Sequence, residues 1–185
     1  MVPEVDPGPD ASFIWAHDFG FVGGQTGRLG LQSATKAAVF SVSSAVAAEG
    51  AGTERIAGGG WSCRLPYPWQ PGRHYRLRVW TVEPGWWAAS VRDDATAAES
   101  DIGFIQVPSD WRQLDTPSVM CTEYHGPPVA SCADVPYCSA VFSSPSADAG
   151  SATPERMHSR LGGGTCDSSH VEPVPGGVRH QIGGP

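Results

Sequence analysis

No stretch of this 185-residue sequence carries the 3.6-residue apolar period of a long helix, and no apolar run approaches the ~18 residues of a membrane-spanning helix. A membrane is therefore not an expected partner. Charge is sparse as well, at 17% of residues, against roughly 25% in an average domain. The net charge is −7 with no basic cluster to offset it, so nucleic acid is not an expected partner either. The opening residues, Met1-Val2-Pro3-Glu4-Val5-Asp6-Pro7, have neither the basic region nor the apolar region of a secretory leader. That pattern fits a cytoplasmic chain or one whose leader has been removed. The sequence contains no C-x-x-C, no H-x-H, no H-E-x-x-H and no D-x-D-x-D-G loop, so no metal site is specified. It also lacks G-x-S-x-G and a phosphate-binding glycine loop, and no cofactor is implied.

Glycine (23) and proline (17) are abundant instead, about one residue in five, where roughly 12% is usual. With hydrophobic residues at 40%, this composition describes many short strands joined by turns rather than disorder. The stretch His74 to Val107 shows it most clearly. In His74-Tyr75-Arg76-Leu77-Arg78-Val79-Trp80 the residues alternate, with Tyr75, Leu77 and Val79 on one face and His74, Arg76, Arg78 and Trp80 on the other. Pro84-Gly85 turns the chain, and a second strand opens on Trp86-Trp87.

Further strands are expected over residues 12–20, with Phe13, Trp15, His17 and Phe19 on one face, and over residues 28–32, 37–45, 117–124, 137–143 and 171–181. Residues 61–69 read as irregular, because Pro66, Pro68 and Pro71 confine the segment to an edge or a loop. Nine or ten short strands without helices predict an all-β fold, a two-sheet antiparallel β-sandwich of jelly-roll or concanavalin-like form. The chain is read as one domain over residues 1–185, with a flexible segment at 1–11 and a mobile loop at 144–164. Of the five cysteines, Cys63 and Cys121 are expected to be reduced. Small buried thiols suffice for all five, and the alternative is a bridge from Cys132 or Cys138 to Cys166.

Taken in order, Gly24-x-x-Gly27-x-x-Gly30-x-Gln32, Ala38-Val39-Phe40-Ser41-Val42, Leu65-Pro66-Tyr67-Pro68-Trp69-x-x-Gly72-x-x-Tyr75, Trp87-x-Ala89-x-Val91-x-Asp93 and Ile102-Gly103-x-Ile105-x-Val107-Pro108 form one ordered series over roughly residues 13 to 125. The series resembles a bacterial, mainly actinobacterial, family of secreted proteins catalogued as a domain of unknown function and often joined to carbohydrate-binding modules. This chain departs from it at Arg28-Leu29-Gly30-Leu31-Gln32, where the family tends to carry Tyr-x-Gly-Ile-Gln. The resemblance implies a β-sandwich, secretion and a link to glycans. It implies no reaction and supplies no catalytic residues.

Candidate chemistry then rests on individual residues. Cys121, Glu123 and His125 are spaced to share one strand face, which could present a carboxylate and an imidazole to one pocket. The plainer reading is a solvated strand face. His17 is a third catalytic candidate, with burial between Trp15 and Phe19 as its plainer reading, and adjacent Asp18 points to the opposite face. Asp93-Asp94 and Glu99-Asp101 read as solvated acidic turns rather than a calcium loop.

Aromatics give the stronger lead. Trp80 with Arg76 and Arg78, joined by Trp86 and Tyr124, forms the expected ligand-binding set, because exposed tryptophan beside hydrogen-bonding groups stacks on sugar rings. The forked guanidinium groups would favour acidic sugars. Three functions follow: non-catalytic binding of a glycan or small polar ligand, a small enzyme (a glycan hydrolase, a lyase or a biosynthetic catalyst) with a Trp/His/Glu pocket, or a structural or interaction domain. Oligomeric state is left open.

Overall fold

The structure is a computed structural model that describes residues 1–161, 166 and 168–184. Fourteen strands follow in chain order among the described residues: β1 (Val2–Pro3), β2 (Phe13–Phe21), β3 (Thr26–Gln32), β4 (Ala37–Ser43), β5 (Ala47–Glu49), β6 (Glu54–Arg55), β7 (Gly60–Pro66), β8 (Tyr75–Glu83), β9 (Trp86–Asp93), β10 (Glu99–Gln106), β11 (Leu114–Tyr124), β12 (Cys138–Phe142), β13 (His170–Val174) and β14 (Gly177–Ile182). Among the described residues only two single-turn 3₁₀ segments interrupt them, Cys132–Asp134 and Asp148–Gly150. The molecule is all-β, as the absence of a helical period and the density of turn residues require.

The strands form a six-stranded sheet, in the order β11-β2-β3-β4-β7-β6, and two four-stranded sheets, β5-β10-β9-β8 and β1-β12-β14-β13. Pairing within each sheet is antiparallel. The two smaller sheets abut at one seam. There the Met1 amine donates to the Tyr75 carbonyl at 2.9 Å, and the Tyr75 N–H donates back to the Met1 carbonyl at 2.8 Å. Together they make the layer that packs against the six-stranded sheet, giving a β-sandwich whose second layer is built from two pieces. Phe21 of β2 meets Trp87 of β9 edge-on, with ring centroids 5.3 Å apart, and Trp15 of β2 meets Trp69 at 4.9 Å. One hydrophobic cluster draws on all three sheets, including Phe13, Trp15, Leu31, Phe40, Val91, Ile105, Cys138 and Ala140.

The core-facing residues of β4 and β8 are those expected, although Ala37 and Val39 on the other face of β4 are buried too. Ala38, Phe40 and Val42 are fully buried, and Tyr75 is buried while Arg76 and Arg78 are exposed. Two expectations are corrected. The segment 1–11 is not flexible throughout: Val2 and Pro3 pair with Val141 and Ala140, and Glu4 bonds Arg179 and Ser139. The segment from residue 61 is not irregular, since β7 lies between β4 and β6 and its proline, Pro66, closes it at the end. The β-sandwich stands as expected, with its second layer divided into two sheets. Of the loop expected at 144–164, residues 144–161 carry an Ala147–Ala152 bridge and the single 3₁₀ turn; residues 162–164 lie outside the described residues.

Candidate functional site

The outer face of the β8–β9–β10 sheet is assembled by strand register. Trp80 stands opposite Ala88, Arg78 opposite Ser90 and Arg76 opposite Arg92. On the other flank of β9, Phe104 faces Ala88, Asp101 faces Ser90 and Glu99 faces Arg92. Ala88 and Ser90 are almost wholly covered, although they point away from the core, so the larger neighbours close over them as a platform. Trp80 and Trp86 are half-buried and stand outside the hydrophobic cluster. The Arg78 guanidinium lies over the Trp80 ring at 4.8 Å, and Arg78 makes no ion pair among the described residues. Glu99 accepts a hydrogen bond from Ser90 at 2.6 Å.

Four of the five residues of the expected ligand set are thus brought together. Tyr124 is not among them. It ends β11, in the other layer, where its ring packs on Phe13 at 5.1 Å and its hydroxyl donates to the Pro127 carbonyl. The β11 strand runs beside β2 rather than beside β8, which no local pattern around Tyr124 could show.

Glu123 and His125 do share a face with Cys121, on the outer side of the six-stranded sheet. What fills that face is Arg28. Its Nε and Nη2 donate to Asp18 at 2.6 and 2.7 Å, and its Nη1 and Nη2 donate to Glu123 at 2.8 and 3.0 Å. His125 Nε2 lies 3.0 Å from Glu123 Oε2. Burial pushes the Glu123 carboxyl up, but the Arg28 and His125 hydrogen bonds and charges outweigh it and leave Glu123 below the usual range. Burial, with the charges of Asp18 and Glu123, pushes the Cys121 thiol up to about 12. Asp18, Cys121 and Glu123 lie close enough to share a cation, and the Arg28 guanidinium bridges the two carboxylates and offsets one of their two charges. The arrangement is an ionic lattice of Arg28, Asp18, Glu123 and His125.

His17 points inward, as its alternation with Asp18 requires. Its Nε2 is buried without a hydrogen-bond partner, and burial lowers its pKa against the opposing pull of Asp18. His74, by contrast, continues the Arg76–Arg78–Trp80 face one step ahead of β8. Its Nδ1 lies 2.6 Å from Asp94 Oδ2 and its Nε2 3.5 Å from Ser143 Oγ. Ser143 is 69 positions further along the chain, so no sequence motif links the two; only the seam between the smaller sheets brings them together. No family model matches this chain, and neither the curated proteins nor the solved structures contain a match to it.

Proposed function

We propose that the outer face of the β8–β9–β10 sheet binds a carbohydrate or similar polar ligand, with Trp80 and Trp86 as stacking surfaces and Arg76 and Arg78 as hydrogen-bond donors. The observation that carries the reading is that Trp80 and Trp86 stand outside the core cluster and flank Ala88, with the unpaired Arg78 on Trp80. Core packing does not require two large aromatic rings there. Exposed aromatic surface beside forked donors suits the apolar face and hydroxyl rim of a pyranose. A secreted setting agrees with the bridge between Cys132 and Cys166, and with the resemblance to a secreted family often joined to carbohydrate-binding modules.

Glycan-array screening followed by titration calorimetry tests the reading. Binding of at least one polysaccharide is expected, and Trp80→Ala should weaken it by about 2 kcal/mol or more, the scale of an interface hot spot. A blank array for the parent protein, or full affinity in Trp80→Ala, would overturn it.

A further inference from the structure

His74, Asp94 and Ser143 each sit one residue beyond a strand end, before β8, after β9 and after β12. The Asp94 N–H donates to the His74 carbonyl at 3.0 Å, which fixes the first two backbones together. The third residue arrives across the Met1–Tyr75 seam. With the imidazole proton on Nδ1, that N–H donates to Asp94 Oδ2 at 2.6 Å, and Nε2 turns its lone pair toward the Ser143 hydroxyl at 3.5 Å. Such a nucleophile–base distance is ordinary before substrate closes the site. Arg76 and Arg92 flank Asp94 at 3.8 and 3.6 Å. The His74 side chain is 43% exposed and Asp94 is 25% exposed, so the base is open to substrate while its carboxylate partner is more sheltered.

We propose that Ser143, His74 and Asp94 form a nucleophile, base and positioning carboxylate that hydrolyse a short acyl ester. Ser143 Oγ bonds to the ester carbonyl carbon as its proton passes to His74 Nε2. The tetrahedral oxyanion collapses, the ester C–O bond breaks, and the departing alcohol oxygen takes the proton from His74. Water then attacks the acyl-serine, gives a proton to His74, and the carboxylic acid leaves as that proton returns to Ser143 Oγ. Asp94 stays ionised throughout, holds the imidazole tautomer and stabilises the imidazolium. Arg76, 65% exposed, has N–H groups free to meet the oxyanion from the solvent side. The alcohol side of the ester is a sugar hydroxyl, because His74, Arg76, Arg78 and Trp80 follow one another on a single strand face; this last clause rests on the ligand-binding reading above.

The whole protein is assayed with p-nitrophenyl acetate and with O-acetylated xylan, and separately treated with a fluorophosphonate. Expected are hydrolysis above the buffer rate, acetate release from the xylan, and one fluorophosphonate per chain, located on Ser143 by peptide mass spectrometry. Ser143→Ala and His74→Ala should each lower kcat/KM by about a hundredfold or more, with the far-ultraviolet spectrum unchanged. In Asp94→Asn the labelling rate should fall about tenfold or more while the final stoichiometry stays at one; general unfolding would instead lower the stoichiometry. No label on Ser143, or hydrolysis undiminished in Ser143→Ala, overturns the relay even if glycans bind. Ester hydrolysis through Ser143 with no acetate released from the xylan overturns the sugar assignment alone, and a blank glycan array beside it removes the binding reading and leaves the relay in place.

Discussion

Arg28 donates to Asp18 and Glu123 together, so replacing it by methionine leaves two carboxylates facing each other on a half-buried sheet face. The loss of paired charge outweighs the gain in apolar surface, and Arg28→Met should cost about 2–4 kcal/mol in denaturant unfolding. The same contact carries a pH dependence. Glu123 titrates lower folded than unfolded, so its contribution is complete above the ordinary glutamate value of 4.5 and is lost as pH falls through the lower folded value. Thermal melts between pH 3 and 7 should show a steeper acid loss in the parent than in Glu123→Gln; equal slopes would mean that Glu123 gains nothing from Arg28. At this scale the sequence was half informative. The spacing of Cys121, Glu123 and His125 put them on one face because strand side chains alternate strictly. Their partners could not be read. Asp18 is opposite Arg28 through the β2–β3 register, and β11 joins that sheet from about 95 positions away.

Elements were most legible where turn chemistry and alternation agreed. The Glu83-Pro84-Gly85 turn sets Glu83 against Trp86, and Gly85 takes the positive φ of 82° that the turn demands. From that register follow the faces of Arg76, Arg78, Trp80 and Trp86. The segment from residue 61 was misjudged because its prolines were weighed as strand breakers, whereas Pro66 ends β7 and Pro68 lies beyond it. Gly103 shows what a single residue does for such an element. The register of β10 against β9 shifts between Asp101 and Gly103, and Gly103 has φ 156°. A Cβ there would lie 2.6 Å from Cys63 Sγ and 3.0 Å from the Glu49 carbonyl. This bulge lets β10 lie against β7 while still pairing with β5 and β9. Gly103→Ala therefore adds backbone strain to a buried clash and should destabilise by about 2–4 kcal/mol. A urea midpoint within error of the parent's would show that the bulge relaxes freely.

Over the whole molecule, the split second layer was invisible in the sequence, because strand length and alternation report pairing but not which sheet a strand enters. Glu4 illustrates the cost of reading only locally. It lies in the segment expected to be flexible, yet it forms paired hydrogen bonds to Arg179, 175 residues away, and so ties β1 to β14. The Cys132–Cys166 bridge is one of the two pairings open at the outset. It spans 34 positions and encloses β12, the strand that bears Cys138 and leads to Ser143. Cys63, Cys121 and Cys138 remain as thiols, so thiol titration under denaturing conditions should find three, rising to five after reduction. Tying a loop of that length removes unfolded-state entropy equivalent to about 4 kcal/mol. Reduction, or Cys132→Ser with Cys166→Ser, should therefore lower the unfolding free energy by about that amount. The loss should fall first on the β13–β14 end, because the bridge encloses β12, the strand on which β14 pairs, and neither Cys132 nor Cys166 belongs to the β8–β9–β10 sheet or the six-stranded sheet. Hydrogen exchange before and after reduction separates the two regions. If reduction leaves β12–β14 as protected as before, Glu4–Arg179 and the Met1–Tyr75 seam hold the third sheet unaided, and the bridge contributes only to the loop.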